Sequence, residues 1–358
     1  MQTRRQAAAL QGASRISMNR RYFTMLLANA WLVAKTLRAE HRVISMDPLE
    51  MEFELWSLQG QYTSVEDFYV RNHFQSPSSP EAATLKIEGE VEVPQQLTKA
   101  DLATLKERKL GAVLECAGNR VGSSGLVSNG AWTGWAFKDI LMLARPNAAA
   151  GHLHLHGRDG YKRSVPLDRA MADAVLVTQL NSRPLTLPHG APWRALLQGW
   201  YGMDSVKWLE RIVVAAAPLP SEGGIYQQSR QTSSGEIERE PLPRVRVKSA
   251  ILNPRPGSVL RKGKTELRGV AWTGAGTIAS VEVSADAGRA WQSASLISAG
   301  ALEWVIWKTS VELTEAGIVE FVSRAKDTTG QAQPVERDTS RLDGYANNWY
   351  HRVRCTVV

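Results

Sequence analysis

Cysteine is scarce in this 358-residue chain: Cys116 and Cys355 are its only two, too few for a disulfide framework or a four-thiolate zinc site. Long apolar runs are missing as well. No stretch approaches the ~20 apolar residues of a membrane-spanning helix. The longest, Thr24 to Ala34, has eleven residues and is interrupted by Asn29. Nor does the body have an excess of one charge. The chain holds 43 Lys and Arg against 35 Asp and Glu, a formal charge of +8. Residues 1–45 account for eight of those bases (Arg4, Arg5, Arg15, Arg20, Arg21, Lys35, Arg38, Arg42) and one acid, Glu40. The remaining 35 bases and 34 acids of residues 46–358 nearly cancel. A phosphate backbone needs a broad basic face, so nucleic acid is not expected as a partner.

What is present is an ordinary folded composition, 43% hydrophobic and 22% charged. A chain this long is more than one hydrophobic core usually serves, which predicts two domains. Ahead of them, residues 1–45 form a basic segment in which Arg20-Arg21 precedes the short apolar stretch. That order resembles a twin-arginine export leader, with Met18 as a candidate start and the periplasm as the destination. A basic N-terminal helix on a cytoplasmic protein is the other reading. No integral membrane segment is expected in the body.

The body changes pattern near residue 240. Before it, strand-like runs at Thr84 to Val91, Gly111 to Cys116 and His152 to His156 alternate with helical stretches at Leu97 to Leu110 and Trp135 to Leu143, an α+β pattern over residues 46–243. Pro218 to Pro243, rich in Ser, Gly, Gln and Pro, reads as a linker or a long functional loop. Short alternating runs follow at Arg246 to Leu252, Thr265 to Trp272, Ala279 to Ser284, Trp304 to Leu313 and Ile318 to Lys326, separated by turns such as Asn253 to Gly257. They predict an immunoglobulin-like β-sandwich over residues 244–358.

Several loops carry groups capable of chemistry. Cys116 ends an apolar run and is followed by Ala117-Gly118-Asn119-Arg120, which puts a sulfur at a sheet edge beside free backbone amides. This suits a metal thiolate or a nucleophile, although a lone cysteine is more often a small buried hydrophobe. Tyr69-Val70-Arg71-Asn72-His73 packs two cationic groups and an amide into five residues. His189 and Arg194 flank a Gly and a Pro, and Lys207 opens an apolar strand after Ser205-Val206. Guanidinium and ammonium groups converging from separate loops are what an anionic cofactor tail requires. His152, His154 and His156 share one face of a predicted strand, a pattern open to zinc or copper and equally to an exposed or cofactor-facing surface without metal.

Taken together, the Arg-Asn-His segment, Glu115-Cys116-Ala117-Gly118-Asn119-Arg120, Trp132-Thr133-Gly134, the His189 to Arg194 loop, Val206-Lys207-Trp208-Leu209 and Asn347 to Val353 resemble the sulfite oxidase family of molybdenum cofactor enzymes. The second domain resembles that family's immunoglobulin-like dimerisation domain, which implies a homodimer. The resemblance implies that Cys116 is the single protein ligand of molybdenum, a soft thiolate beside the two dithiolene sulfurs of molybdopterin. Tyr69, Val70, Arg71, Asn72, His73, Asp159, His189, Arg194, Ser205, Val206 and Lys207 would hold the pterin and its phosphate. Arg71 and Arg120 would face a small anionic substrate. The implied reaction is oxygen-atom transfer, by family default the oxidation of sulfite to sulfate. Electrons would pass to a separate carrier such as a c-type cytochrome, since no haem or flavin segment is found in the chain.

Three departures leave the substrate open. Gln231 stands at or near the place of the family's catalytic tyrosine, and Tyr226 is too early in register to be assumed its equivalent. The segment Val121 to Ala131 is short and lacks basic and aromatic residues. Asp343-Gly344-Tyr345 occupies the stretch where an anion-binding arginine is expected, and Asp343 would repel a dianion if it lined the pocket. Reduction of an S-oxide or N-oxide by the reverse transfer, or a noncatalytic assembly role, stays open beside sulfite oxidation.

Overall fold

The structure, a computed structural model, describes residues 41–79, 84–119, 125–220, 226–297 and 300–358. Arg20, Arg21, the Thr24 to Ala34 stretch and Arg120 lie outside the described residues. The first hairpin, His41–Met46 with Leu49–Phe53, bridges onward from Met51 to Val70.

Two five-stranded sheets follow. One runs Arg183–Pro184, Ala174–Leu180, Val127–Ala136, Arg108–Glu115, with Arg194–Leu197 also pairing onto Ala174–Leu180. The other runs Gln95–Leu97, Leu85–Gly89, Leu209–Ala215, His152–Gly157, Lys162–Pro166. All their pairings are antiparallel except Leu209–Ala215 on Leu85–Gly89. Side chains alternate across a strand, so Leu153 and Leu155 face a core with Ile87, Ile212 and Val214 while the histidines between them point the other way. The helix Phe137–Ala144 adds Phe137, Ile140 and Leu141 to that core.

The fold is α+β, with less helix than the sequence pattern predicts. The stretch Leu97 to Leu110 holds only the one-turn helix Lys99–Leu102, which a Thr98–Asp101 capping box starts. From Arg108 the chain is a strand, because Arg108 through Glu115 pair with Val127 through Gly134. Trp135 and Ala136 belong to a strand, and the helix begins at Phe137. Pro218 to Pro243 is not an unstructured linker throughout: Gln227–Gln231 and Ile237–Pro241 form a hairpin.

Beyond it lie a four-stranded sheet (Lys248–Asn253, Gly263–Trp272, Val305–Leu313, Ser295–Ile297) and a five-stranded one (Val259–Leu260, His351–Val357, Gly317–Asp327, Ile278–Ser284, Gln292–Ser293). Phe321, Trp307, Val281 and Val353 fill the space between them, the expected sandwich core. Another core joins this sandwich to the residues before it: Val113, Val127, Tyr201 and Met203 pack with Leu252, Val270, Trp272 and Trp304. The strand Arg108–Glu115 therefore has one face toward the sandwich, and its last residue delivers Cys116.

Candidate active site

Cys116 is the first residue after the strand Arg108–Glu115, and its backbone is fixed on both sides. Its N–H donates to the Leu126 carbonyl at 2.9 Å and its carbonyl accepts from Asn119 N–H at 2.9 Å. One residue on, the Ala117 carbonyl accepts from Ala346 N–H at 2.8 Å, so the C-terminal loop closes over the turn. The sulfur is half-buried. Burial pushes its thiol above the usual range, opposed by the Gly118 N–H and the charge of Arg71.

The thiol lies on the wall of a cavity of about 770 Å3, its open mouth included. Ten of the residues singled out in the sequence line it: Tyr69, Arg71, Asn72, His73 and Cys116 from the first loops, and Asp159, His189, Arg194, Ser205 and Lys207 from later ones. Local structure explains the convergence. Val70 bridges to Met51 and holds the 69–73 segment, while Asn72 Nδ2 donates to the Leu49 carbonyl at 3.1 Å. Gly190 takes φ +98°, a conformation that turns the chain sharply between His189 and Arg194. Val206 accepts the Ala195 N–H and buries its side chain in the core, which sends its neighbours Ser205 and Lys207 to the cavity. Val70 and Val206 thus support the site from behind and do not line it.

The electrostatics on this wall are unusual. Lys207 Nζ donates to the Pro188 carbonyl at 2.9 Å and to Asn72 Oδ1. Buried Arg194 donates to the carbonyls of Ser205 (2.8 Å) and His189 (3.4 Å). All these acceptors are neutral, and among the described residues neither cation makes an ion pair. Burial pushes the Lys207 ammonium well below the usual lysine range, with the Arg194 charge adding to it and Asp159 opposing. The Arg194 guanidinium is lowered to about 10 by burial. Two such cations side by side call for an anion. His189 sits beside them with Nε2 at 3.0 Å from the Val65 carbonyl, and burial lowers its pKa to about 4. The ring is therefore neutral at pH 7, with Nε2–H as the donor and Nδ1 left to accept.

Further residues line the cavity, among them Tyr161 and Met203, which carried no local sequence signal, and Tyr226, which the sequence placed too early in register to be assumed the family tyrosine's equivalent. Tyr226, at φ +60°, is held in a left-handed conformation rare for a non-glycine residue, as at many functional positions. Its ring meets Tyr345 at 5.5 Å between centroids and lies under the Arg163 guanidinium. Burial raises its phenol pKa, with the Cys116 charge second, so the hydroxyl stays protonated. Gln231 is exposed and bonds the Ser340 carbonyl through its backbone, and it does not line the cavity, whereas Tyr226 does. Asp343 does not line the pocket. It is paired with Arg341 at 2.6 Å, both side chains being about 5% exposed or less. The three strand histidines do not converge on one point: His152 meets Ser164, His154 the Ala217 carbonyl, and His156 the Arg211 guanidinium.

Residues 73–222 match the oxidoreductase molybdopterin binding domain and residues 239–358 the Mo-co oxidoreductase dimerisation domain. The chain belongs to the sulfite oxidase family of molybdopterin-dependent oxidoreductases. It is similar to chicken sulfite oxidase, 29% identical over 336 residues covering 82% of this chain and 72% of the chicken one. It is also similar to the NADPH nitrate reductase of Aspergillus niger, 28% identical over 384 residues, 88% of this chain and 44% of that one. The chain spans 62% to 72% of the length of the chicken, Drosophila and mouse sulfite oxidases. In fold it matches the sulfane dehydrogenase SoxCD of Paracoccus pantotrophus, with a TM-score of 0.80, 22% identity and coverage of 98% of this chain and 93% of that one.

The family's cofactor, molybdenum on molybdopterin, fits this cavity on two counts. Among the described residues the wall offers one thiol, and no cluster of three or more His, Cys, Asp or Glu surrounds it. A metal at Cys116 would thus draw its other ligands from a non-protein group, as a dithiolene pterin provides. Lys207 and Arg194 would supply the charge that the pterin's phosphate requires.

Proposed function

We propose that this protein oxidises sulfite to sulfate and passes the two electrons, one at a time, to an external acceptor such as a c-type cytochrome. The observation that carries the reading is the Cys116 thiol on the wall of the cavity that also holds Lys207 and Arg194, two cations with only neutral hydrogen-bond partners. When bound, the molybdenum centre supplies two-electron oxygen-atom transfer. The chain's own groups do the rest. Lys207 and Arg194 hold the phosphate end, and neutral His189 offers Nδ1 as an acceptor to the ring system. Asn72 keeps the Lys207 ammonium in place. On the substrate side, Arg71 presents a half-exposed guanidinium that ion-pairs with Glu50. Tyr226 and Tyr161 offer hydroxyl groups at the same wall.

The test is steady-state turnover of the molybdenum-loaded full chain with sulfite and oxidised cytochrome c. Sulfite-dependent reduction is expected, with KM raised about tenfold in Arg71→Met, as loss of one charge-assisted hydrogen bond implies. Absence of turnover with sulfite, together with oxidation of reduced viologen by an S-oxide or N-oxide, would overturn the reading. That second reading, reduction of an oxo-group substrate, is favoured by the Arg71–Glu50 pairing, which leaves the wall less attractive to a dianion. Steady turnover with any of these substrates would exclude the third, a noncatalytic assembly role.

We further propose that residues 244–358 form a homodimer interface and that residues 1–45 are a twin-arginine leader directing the folded protein to the periplasm. Sedimentation of the full chain at twice the monomer mass, and loss of export when Arg20 and Arg21 are replaced by lysine, are the expected results.

A further inference from the structure

The C-terminal sandwich supplies a buried ion pair to the residue that precedes Cys116. Glu115 is wholly buried, yet its carboxylate has three donors: Lys248 Nζ at 2.5 Å and Asn119 Nδ2 at 2.8 Å on Oε1, and Trp272 Nε1 at 2.8 Å on Oε2. Lys248 and Trp272 are themselves 3% and 1% exposed and come from neighbouring strands of the sandwich. Asn119 closes the circuit, because its side chain holds Glu115 while its backbone N–H holds the Cys116 carbonyl. The Cys116 turn is thereby tied at both ends to one carboxylate, and that carboxylate is tied to the second domain.

We propose that Lys248 is a positioning residue for the Cys116 turn, so that the sandwich serves the metal site as well as assembly. The functional importance of the turn rests on the reading of Cys116 as the metal ligand, whereas its ordering by Lys248 does not. In Lys248→Met the buried carboxylate loses the one ion-pair partner it has among the described residues, and must take up a proton, find water or draw the turn outward. The double variant Glu115→Gln/Lys248→Met removes both charges. Asn119 Oδ1 is buried without a partner, so rotation of the Asn119 amide lets the new Gln donate to it while still accepting from Trp272.

The experiment is peptide-resolved hydrogen exchange on the full-length holoprotein, with molybdenum content measured in parallel. In Lys248→Met the amides of Cys116 and Asn119 should exchange at least tenfold faster, while those of Phe321 to Ala325 in the sandwich core stay within twofold of wild type. Molybdenum per chain should fall, and the double variant should restore both readouts. Equal acceleration in the turn and the sandwich core would make Lys248 a general stability residue and overturn the proposal, as would no acceleration anywhere. Molybdenum content that is unchanged by Cys116→Ser would refute the ligand reading alone and leave the exchange result standing.

Discussion

Replacing His351 by asparagine should make the protein less sensitive to acid. His351 opens the strand His351–Val357, is 8% exposed, and its Nδ1 accepts the Ile251 N–H at 3.0 Å. Burial, with the Lys248 charge adding to it, holds its pKa at about 4 against an ordinary 6.5. Protonation is thus disfavoured in the fold, and the unfolded chain binds the extra proton first. Stability from this group is complete above pH 6.5 and is lost as pH falls from 6.5 toward 4, at roughly 1.4 kcal/mol per pH unit. Between pH 7 and pH 5 the loss is about 2 kcal/mol. Asparagine places an acceptor near the Nδ1 position without a titrating group, so the Ile251 bond survives and the pH term vanishes. Urea unfolding followed by tryptophan fluorescence at both pH values gives the comparison. Other histidines and carboxylates titrate alike in both proteins and cancel, as does any fixed cost of the smaller side chain. The wild type should lose about 2 kcal/mol more than the variant over this interval. Equal losses, within ~0.5 kcal/mol, would refute the reasoning.

Three other substitutions have defined outcomes. Gly190→Ala puts a Cβ on a φ of +98°, 3.0 Å from Arg194 Cβ and 3.1 Å from Lys207 Cβ. A stability loss of ~1–3 kcal/mol in urea and lower cofactor retention are expected. Asp343→Asn removes the counter-charge of buried Arg341. It should cost about 3–5 kcal/mol by the same assay, and a neutral effect would show that the pair is not isolated from water. Glu50→Gln frees Arg71 from its ion pair. Sulfite KM should fall severalfold with kcat little changed, whereas an unchanged KM would place Arg71 outside the substrate's reach.

Local chemistry was legible in the sequence where a few consecutive residues carry it. The turn after Cys116, the 69–73 segment, the Gly190 loop and the start of the strand after Lys207 were each readable, and the cavity brings the residues they carry together. What local pattern could not supply is pairing. Lys99–Leu102 starts with a good cap, but the residues from Arg108 onward are strand because Val127–Ala136 lies beside them. The Gln227–Gln231 strand has little apolar periodicity of its own and is held by Ile237–Pro241, by the Ser340 carbonyl and by Asp343. For the same reason the place of Tyr226 on the cavity wall was not legible: it depends on a hairpin and on Tyr345, more than a hundred residues away. Asp343 misled as a bare charge, since its partner Arg341 stands only two residues before it yet turns it into a neutral, buried strut.

The cations around the cavity divide into two kinds, and the division bears on selectivity. Arg71 on the wall, and Arg163, Arg341 and Lys248 outside the lining, each meet a carboxylate, from Glu50, Asp204, Asp343 and Glu115 respectively. Such pairs present little net field, so they order the walls without drawing an anion strongly. Lys207 and Arg194 have only neutral hydrogen-bond acceptors, and the Asp159 carboxylate opposes the lowering of the Lys207 pKa. On the proposed function, these two cations would hold the phosphate end of the cofactor. On the same reading, and among the described residues, the substrate end would attract an anion chiefly through Arg71, whose charge is shared with Glu50. Substrate affinity would then be set, on the proposed function, by competition between a small anion and the Glu50 carboxylate already paired with Arg71, which would make Glu50 as much a determinant of selectivity as Arg71 itself.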